Sequence, residues 1–378
     1  MFRTALATLL VVVVPQICHA QDLFFYPTPA PGTVTATIDV LYGESGSTQL
    51  RMDVYRPAKP SGTAPALIFF HQAVGARRTA STLNARWGEL AASKGLVAIV
   101  PDLRPDSSAA DFRLLAAHLT SRAASYGIDP DAIAVYAGSG NVSTAFPIVE
   151  DPANTAVKAA VMYYGTANVK AFRQDLPIMI VRAGLDRPAL NTEIAALTAA
   201  ALAQNAPLTV LNHPAGAHAF ETVNDDATTK AVMDQTIDFV KRATSATYQS
   251  ALRAGLPEAI AAALVTSGNF AAAAAAYAKL VDSRPGNARL RLSYGEALLG
   301  GAQFAAACEE FDKLKGKGLG PRDLGLPAAR ACAQKGDADR AIAWLQTIPQ
   351  RFLPPDAQKD TAFASLQNRS DFQALFRK

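Results

Sequence analysis

Cysteine is scarce: the 378 residues contain three, Cys18, Cys308 and Cys332, too few for a small disulfide-stapled scaffold. Charge is scarce too. Only 18% of residues are charged, and the net charge of +4 is not gathered into a basic run, which argues against a nucleic-acid partner. Long apolar runs are absent: the stretch Leu9–Val14 is far shorter than the roughly 20 residues that span a bilayer, so no stable membrane span is expected in the mature protein. What is present is apolar content of 50%, enough for an ordinary core in a chain long enough for two domains.

The first twenty residues have the layout of a cleaved leader, with Arg3 at the start, the apolar Leu9–Val14, and Cys18-His19-Ala20 as a small-residue cleavage site before Gln21. Export to the periplasm or beyond the cell is therefore expected. Ile17 is bulky where lipoprotein signals have a small residue, so a lipid on Cys18 is not expected. In the mature chain only Cys308 and Cys332 remain, and an oxidising compartment would permit them to pair. Sequence leaves a disulfide and two buried free thiols equally open.

From Thr33 to about Arg242, β-prone runs alternate with amphipathic segments. Eight strands are expected: Thr35–Leu41, Gln49–Tyr55, Ala66–His71, Leu96–Val100, Ile133–Ala137, Ala159–Tyr164, Ile178–Ala183 and Pro207–Asn212. The first two alternate apolar and polar residues, as half-exposed antiparallel strands do. Leu67-Ile68-Phe69-Phe70 and Val97-Ala98-Ile99-Val100 are apolar throughout, as buried parallel strands are. Helices are expected at about 82–94, 110–126, 140–149, 190–204 and 226–243, and loops at Pro60-Ser61-Gly62, Pro101-Asp102 and Asp129-Pro130. This predicts a domain over 33–243 with a mostly parallel sheet flanked by helices.

Beyond about residue 247 strand signals cease and alanine-rich helix begins, with a repeat at a spacing of 34 residues. Phe270, Ala273, Tyr277 and Leu280 recur as Phe304, Ala307, Phe311 and Leu314, and again as Ala338, Ala341, Leu345 and Ile348. Gly268, Ala302 and Gly336 keep the same register. Gly268-Asn269-Phe270, Ala273, Tyr277 and Pro285 resemble the tetratricopeptide repeat, which implies an all-α domain of stacked helix pairs over 250–378, suited to a protein partner or self-association. The third copy, with Ala338 for the aromatic, is expected to cap the stack.

The chemistry is concentrated in Ile133-Ala134-Val135-Tyr136-Ala137-Gly138-Ser139-Gly140-Asn141, a buried strand running through a tight turn into a helix. Such a turn exposes a serine hydroxyl, and it needs small residues two positions before and after. Ser139 fits, with Ala137 and Asn141 where glycines usually stand; a plain Gly-Ser-Gly loop is the competing reading. Asp186 follows directly on Ile178–Ala183, as a catalytic acid or as a turn residue before the next helix. His218 lies in a long loop after Pro207–Asn212 and is preferred over His213. The two histidines lack a third ligand at characteristic spacing, so no metal is expected.

The order serine, acid, histidine and the Gly216-Ala217-His218-Ala219-Phe220 segment, similar to G-x-H-x-F, resemble the dienelactone-hydrolase-like branch of the α/β-hydrolase superfamily. That resemblance implies a Ser139–His218–Asp186 triad working without a cofactor, with oxyanion donors from the Gly140 N–H and the loop His71-Gln72-Ala73-Val74-Gly75. In that loop the Gln72 N–H is preferred, Ala73 is second choice, and His71 is read as structural. Dienelactone hydrolases proper use cysteine; a serine implies a carboxylesterase acting on a small ester or lactone. An inactive scaffold and a serine peptidase are the alternatives. Arg77, Arg78, Arg182 and Arg187 are read as solvated charges or as attractors of an acidic substrate. About fourteen residues from Gly165 to Ile178 leave no room for a helical lid, so the pocket is open unless the repeats cover it.

Overall fold

The computed structural model describes residues 24–79 and 81–377; the expected leader lies outside the described residues. The strands are β1 (Val34–Ser45), β2 (Thr48–Pro57), β3 (Ala64–Phe69), β4 (Val97–Pro101), β5 (Ile128–Gly138), β6 (Val157–Tyr163), β7 (Ile178–Ala183) and β8 (Leu208–His213). They form one sheet in the order β1-β2-β4-β3-β5-β6-β7-β8. β1 and β2 run antiparallel to their neighbours and the remaining pairs are parallel, as their residue patterns predict. Between the strands lie α1 (Ala76–Thr79), α2 (Thr82–Ser93), α3 (Ser108–Ser121), α4 (Ala123–Tyr126), α5 (Val142–Glu150) and α6 (Pro188–Ala203), and α7 (Phe220–Val223) and α8 (Ala227–Thr244) follow the last.

Strand side chains alternate between two cores. Ile68, Ile99 and Val135 pack with Phe112 and Leu115 of α3, Phe146 of α5 and Ile194 of α6. Their neighbours Leu67, Ala98 and Ala134 pack on the other face with Trp87 of α2 and Met233 and Ile237 of α8. Because both faces are covered, apolar residues at every position of β3 and β4 are required. Sequential crossovers reverse beside β3, which leaves the ends of β3 and β5 adjacent where the chain turns outward.

One expected loop is corrected. Asp129-Pro130 lies inside β5, where the pairing with β3 jumps from Ala64↔Ile128 to Ala66↔Ile133. The unpaired residues bulge, and Pro130 has no N–H to lose from the ladder.

After α8 come the helices α9 (Ala246–Thr266), α10 (Phe270–Ser283), α11 (Ala288–Gly300), α12 (Phe304–Asp312), α13 (Pro321–Lys335) and α14 (Ala338–Gln346). The first residue of each repeat, Phe270, Phe304 and Ala338, begins a helix, and the residues at the other three repeat positions are buried. The conserved register has a conformational cause: Gly268, Ala302 and Gly336, between paired helices, all have positive φ. Cys308 on α12 is disulfide-bonded to Cys332 on α13, which resolves the choice left open by the sequence. The third copy is not the end of the stack. It is followed by short turns and α15 (Ser370–Ala374), and Phe363, Leu366 and Phe372 from this segment are fully buried in the same core.

Candidate active site

Ser139 follows the last residue of β5 with φ of 55°, a left-handed conformation that a side chain adopts at a cost of roughly 1–3 kcal/mol. The surroundings hold it there. A Cβ added at Gly165 would collide with the Ser139 carbonyl and lie 2.5 Å from Val142 Cγ2, so the chain after β6 closes directly against the turn. Ala137 is fully buried in the sheet, where a larger side chain would have no space. The Ser139–Asn141 turn leads into α5, and the Gly140 N–H, in the first turn, has no intrahelical acceptor.

The other two residues arrive on loops joined to each other. Gly184 N–H donates to the His213 carbonyl at 2.8 Å and Leu185 N–H to the Gly216 carbonyl at 2.9 Å, tying the loop after β7 to the loop after β8. Asn191 of α6 reinforces the first loop by donating to the Ala183 carbonyl at 3.0 Å. The result brings His218 Nε2 to 2.7 Å from Ser139 Oγ and His218 Nδ1 to 2.6 Å from Asp186 Oδ2. A carboxylate only accepts, so Nδ1 carries the proton and Nε2 is left to accept from the serine. Asp186 Oδ1 accepts from the Arg187 N–H at 2.8 Å.

His213, the competing histidine, is fully buried and bonded through Nε2 to Thr229 Oγ1 at 3.0 Å. It is a core residue. His71 stands at the end of β3, partly buried, and burial lowers its pKa. The reading of Arg78 is corrected: it is 1% exposed, not solvated, and its guanidinium is ion-paired with Asp39, Asp53 and Asp102. Arg77 is exposed, Arg182 donates to Asn212 Oδ1 at 2.8 Å, and Arg187 lies 3.8 Å from Asp186 Oδ1 with most of its side chain in solvent.

Three features are not signalled by the sequence motifs. The Tyr164 ring packs 4.9 Å from that of His218. Glu221, three residues after His218 and fully buried, accepts from Tyr164 Oη at 2.5 Å and Tyr136 Oη at 3.1 Å, and burial raises its pKa. A glutamate in an apolar context was the available clue. The third is Asn141, whose Oδ1 accepts from the Gln72 N–H at 3.0 Å. The Ala73 N–H is engaged with the His71 carbonyl at 2.8 Å. Of the expected oxyanion donors, Gly140 has open space where a Cβ would stand, and the Gln72 N–H is occupied from within the chain.

Comparison with known proteins gives a family match over residues 144–253, to the dienelactone hydrolase family. No curated protein matches the chain. Among solved structures it is similar to a bacterial heroin esterase, with 14% identity and a TM-score of 0.47 over 57% of this chain and 86% of that one. It is likewise similar to brefeldin A esterase, described as a bacterial homologue of human hormone sensitive lipase, with 14% identity and a TM-score of 0.49 over 59% and 82%. Esterase B from Lactobacillus rhamnosis has 17% identity and a TM-score of 0.45 over 56% and 87%. With this strand order and two-faced core the sheet-bearing part of the chain is an α/β-hydrolase fold, and residues 144–253, beginning inside α5, are similar to the dienelactone hydrolase family.

Proposed function

We propose that the protein is an exported serine hydrolase, a carboxylesterase that cleaves a small ester or lactone through an acyl-enzyme on Ser139. The observation that carries this reading is the continuous hydrogen-bonded path from Ser139 Oγ through the His218 ring to Asp186. His218 Nε2 takes the serine proton as Oγ attacks the ester carbonyl, and the buried Asp186 carboxylate stabilises the imidazolium. The tetrahedral oxyanion is received by the Gly140 N–H and by the Gln72 N–H once that donor is free. His218 then protonates the departing alcohol, water enters in its place, and the same steps in reverse order of roles release the acid. Apart from that water and the substrate, these steps use only groups of the chain itself.

A fluorophosphonate reacts fast only with a serine paired to a base and facing oxyanion donors. Labelling should map to Ser139 alone and vanish in Ser139→Ala, whose turnover on short acyl esters should fall by about 10³-fold or more. A label on Ser143 would move the nucleophile one helical turn, and cleavage of peptides but no ester would sink the esterase reading. The occupied Gln72 donor is the one observation that favours an inactive scaffold, and absence of both label and turnover would support it.

Export rests on the leader-like residues 1–20 and is supported by the disulfide, which persists in oxidising compartments. Amino-terminal sequencing of the mature protein should begin at Gln21. An unprocessed chain in the cytoplasm would overturn this part.

A further inference from the structure

We propose that Asn141 is a built-in occupant of the oxyanion site, which holds the Gln72 donor in the resting enzyme and releases it only to the charged intermediate. The inference rests on the serine hydrolase reading above. Its starting point is that the Gln72 N–H, the donor supplied by the loop after β3, points at Asn141 Oδ1 from 3.0 Å. The orientation of the side-chain amide is dictated by its partners: an N–H requires an acceptor, so oxygen faces Gln72, and Nδ2 is left to donate to the Gly138 carbonyl at 3.3 Å.

The donor is fixed and its occupant is not. The Gln72 side chain donates through Nε2 to Ser108 Oγ at 3.0 Å and to the Pro105 carbonyl at 3.3 Å, and its Oε1 accepts from Thr144 Oγ1 at 3.3 Å. The next residue is pinned as well, since the Ala73 carbonyl accepts from the Leu103 N–H at 3.0 Å. The loop therefore cannot carry its amide away from Asn141. The asparagine is half-exposed, and besides the bond to Gln72 itself its amide is held by the long 3.3 Å bond of Nδ2. Ala73 offers no substitute donor, because its own N–H is spent on His71.

Competition for the Gln72 N–H then depends on charge. A neutral ester carbonyl is no better an acceptor than the asparagine oxygen, which is already in place. An oxyanion makes hydrogen bonds roughly twice as strong, so it displaces Asn141 where the ground-state carbonyl does not. The second donor thus contributes only as charge develops, at the expense of the bond it must break. A glycine or alanine at 141 would leave that donor open from the start.

The test compares Asn141→Ala, Asn141→Gly and Asn141→Asp with wild type on one unactivated alkyl ester, and measures inhibition by an alkyl boronic acid as oxyanion mimic. The alanine and glycine variants should gain about fivefold to tenfold in kcat/KM, the equivalent of one net neutral hydrogen bond, and bind the boronic acid tighter by a similar factor. Asn141→Asp keeps the shape and adds charge where the oxyanion forms, so it should lose about 100-fold. A role in merely bracing the turn predicts losses in all three variants. If alanine and glycine variants with wild-type thermal unfolding are no faster and bind the boronic acid no tighter, while wild type still labels at Ser139, the occupancy proposal falls and the hydrolase reading stands. If neither wild type nor any variant labels or turns over, both fall.

Discussion

At the scale of single residues, the two histidines illustrate how burial separates a structural role from the reactive one proposed for His218. His213 has no exposed surface, sits 5.0 Å from the Phe220 ring and bonds to Thr229, so His213→Ala leaves a cavity and strands a hydroxyl. It should lower stability by about 2–4 kcal/mol while sparing most turnover measured below its unfolding temperature. His218, with 35% of its side chain exposed, packs its ring 4.9 Å from that of Tyr164. Its removal should leave thermal unfolding nearly unchanged and lower kcat by about 10³-fold or more. Parallel kcat and Tm measurements on both variants check this crossing pattern; equal losses of activity would refute it.

At the scale of elements, the site depends on contacts made where segments distant in sequence touch. Gly165 meets the Ser139 carbonyl from the end of the neighbouring strand, so Gly165→Ala should force the turn to shift and lower kcat by about 100-fold. An ester assay beside a melting curve would show whether activity is lost in protein that is still folded. The end of α5 is anchored similarly: Glu150, buried, accepts from the Arg173 N–H at 2.6 Å. Burial pushes its carboxyl up to about 7, against the opposing influence of Arg173. The folded state therefore holds this proton more tightly than the unfolded chain, whose glutamate titrates near ~4.3. The resulting stabilisation is present at acid pH and is lost as pH rises through about 7. Glu150→Gln, which cannot ionise, should gain on wild type by up to about 3 kcal/mol between about pH 5 and about pH 8. Denaturant midpoints at the two pH values would check it, and identical pH slopes for the two proteins would contradict it.

At the scale of the whole molecule, the sheet and the helix stack have separate cores and are joined at a defined place. Gln249, in the first turn of α9, is buried and donates to the Lys158 carbonyl at 3.0 Å, at the start of β6. Ser139 stands at the opposite end of the parallel strands, so this contact lies away from the reacting groups. A chain cut within 243–250 before Gln249 would leave that carbonyl unpaired. One ending near residue 255 should fold and keep turnover on a small ester, as an esterase assay on the purified fragment would show. In the stack, Cys308 and Cys332 close a separation of 24 residues. Replacing both by serine should cost roughly 3 kcal/mol and lower only the unfolding transition of the helices. Calorimetry resolving two transitions would reveal which one moves.

Much of this was legible in the sequence because period and order are local properties. Apolar runs in β3 to β7 specified a buried parallel sheet, the 34-residue spacing marked the helix starts, and Ser139, Asp186 and His218 stood out by their positions after strands. Tertiary structure alone decided the rest, since it depends on approach between residues far apart in the chain. It withdrew Arg78 from solvent into three aspartates, paired Cys308 with Cys332, and placed Gly165 beneath the serine turn. It also set Asn141 against the Gln72 amide, 69 residues away in the chain. A hydrogen bond across that interval is determined by how β3 and β5 lie side by side, and no pattern within either segment encodes it.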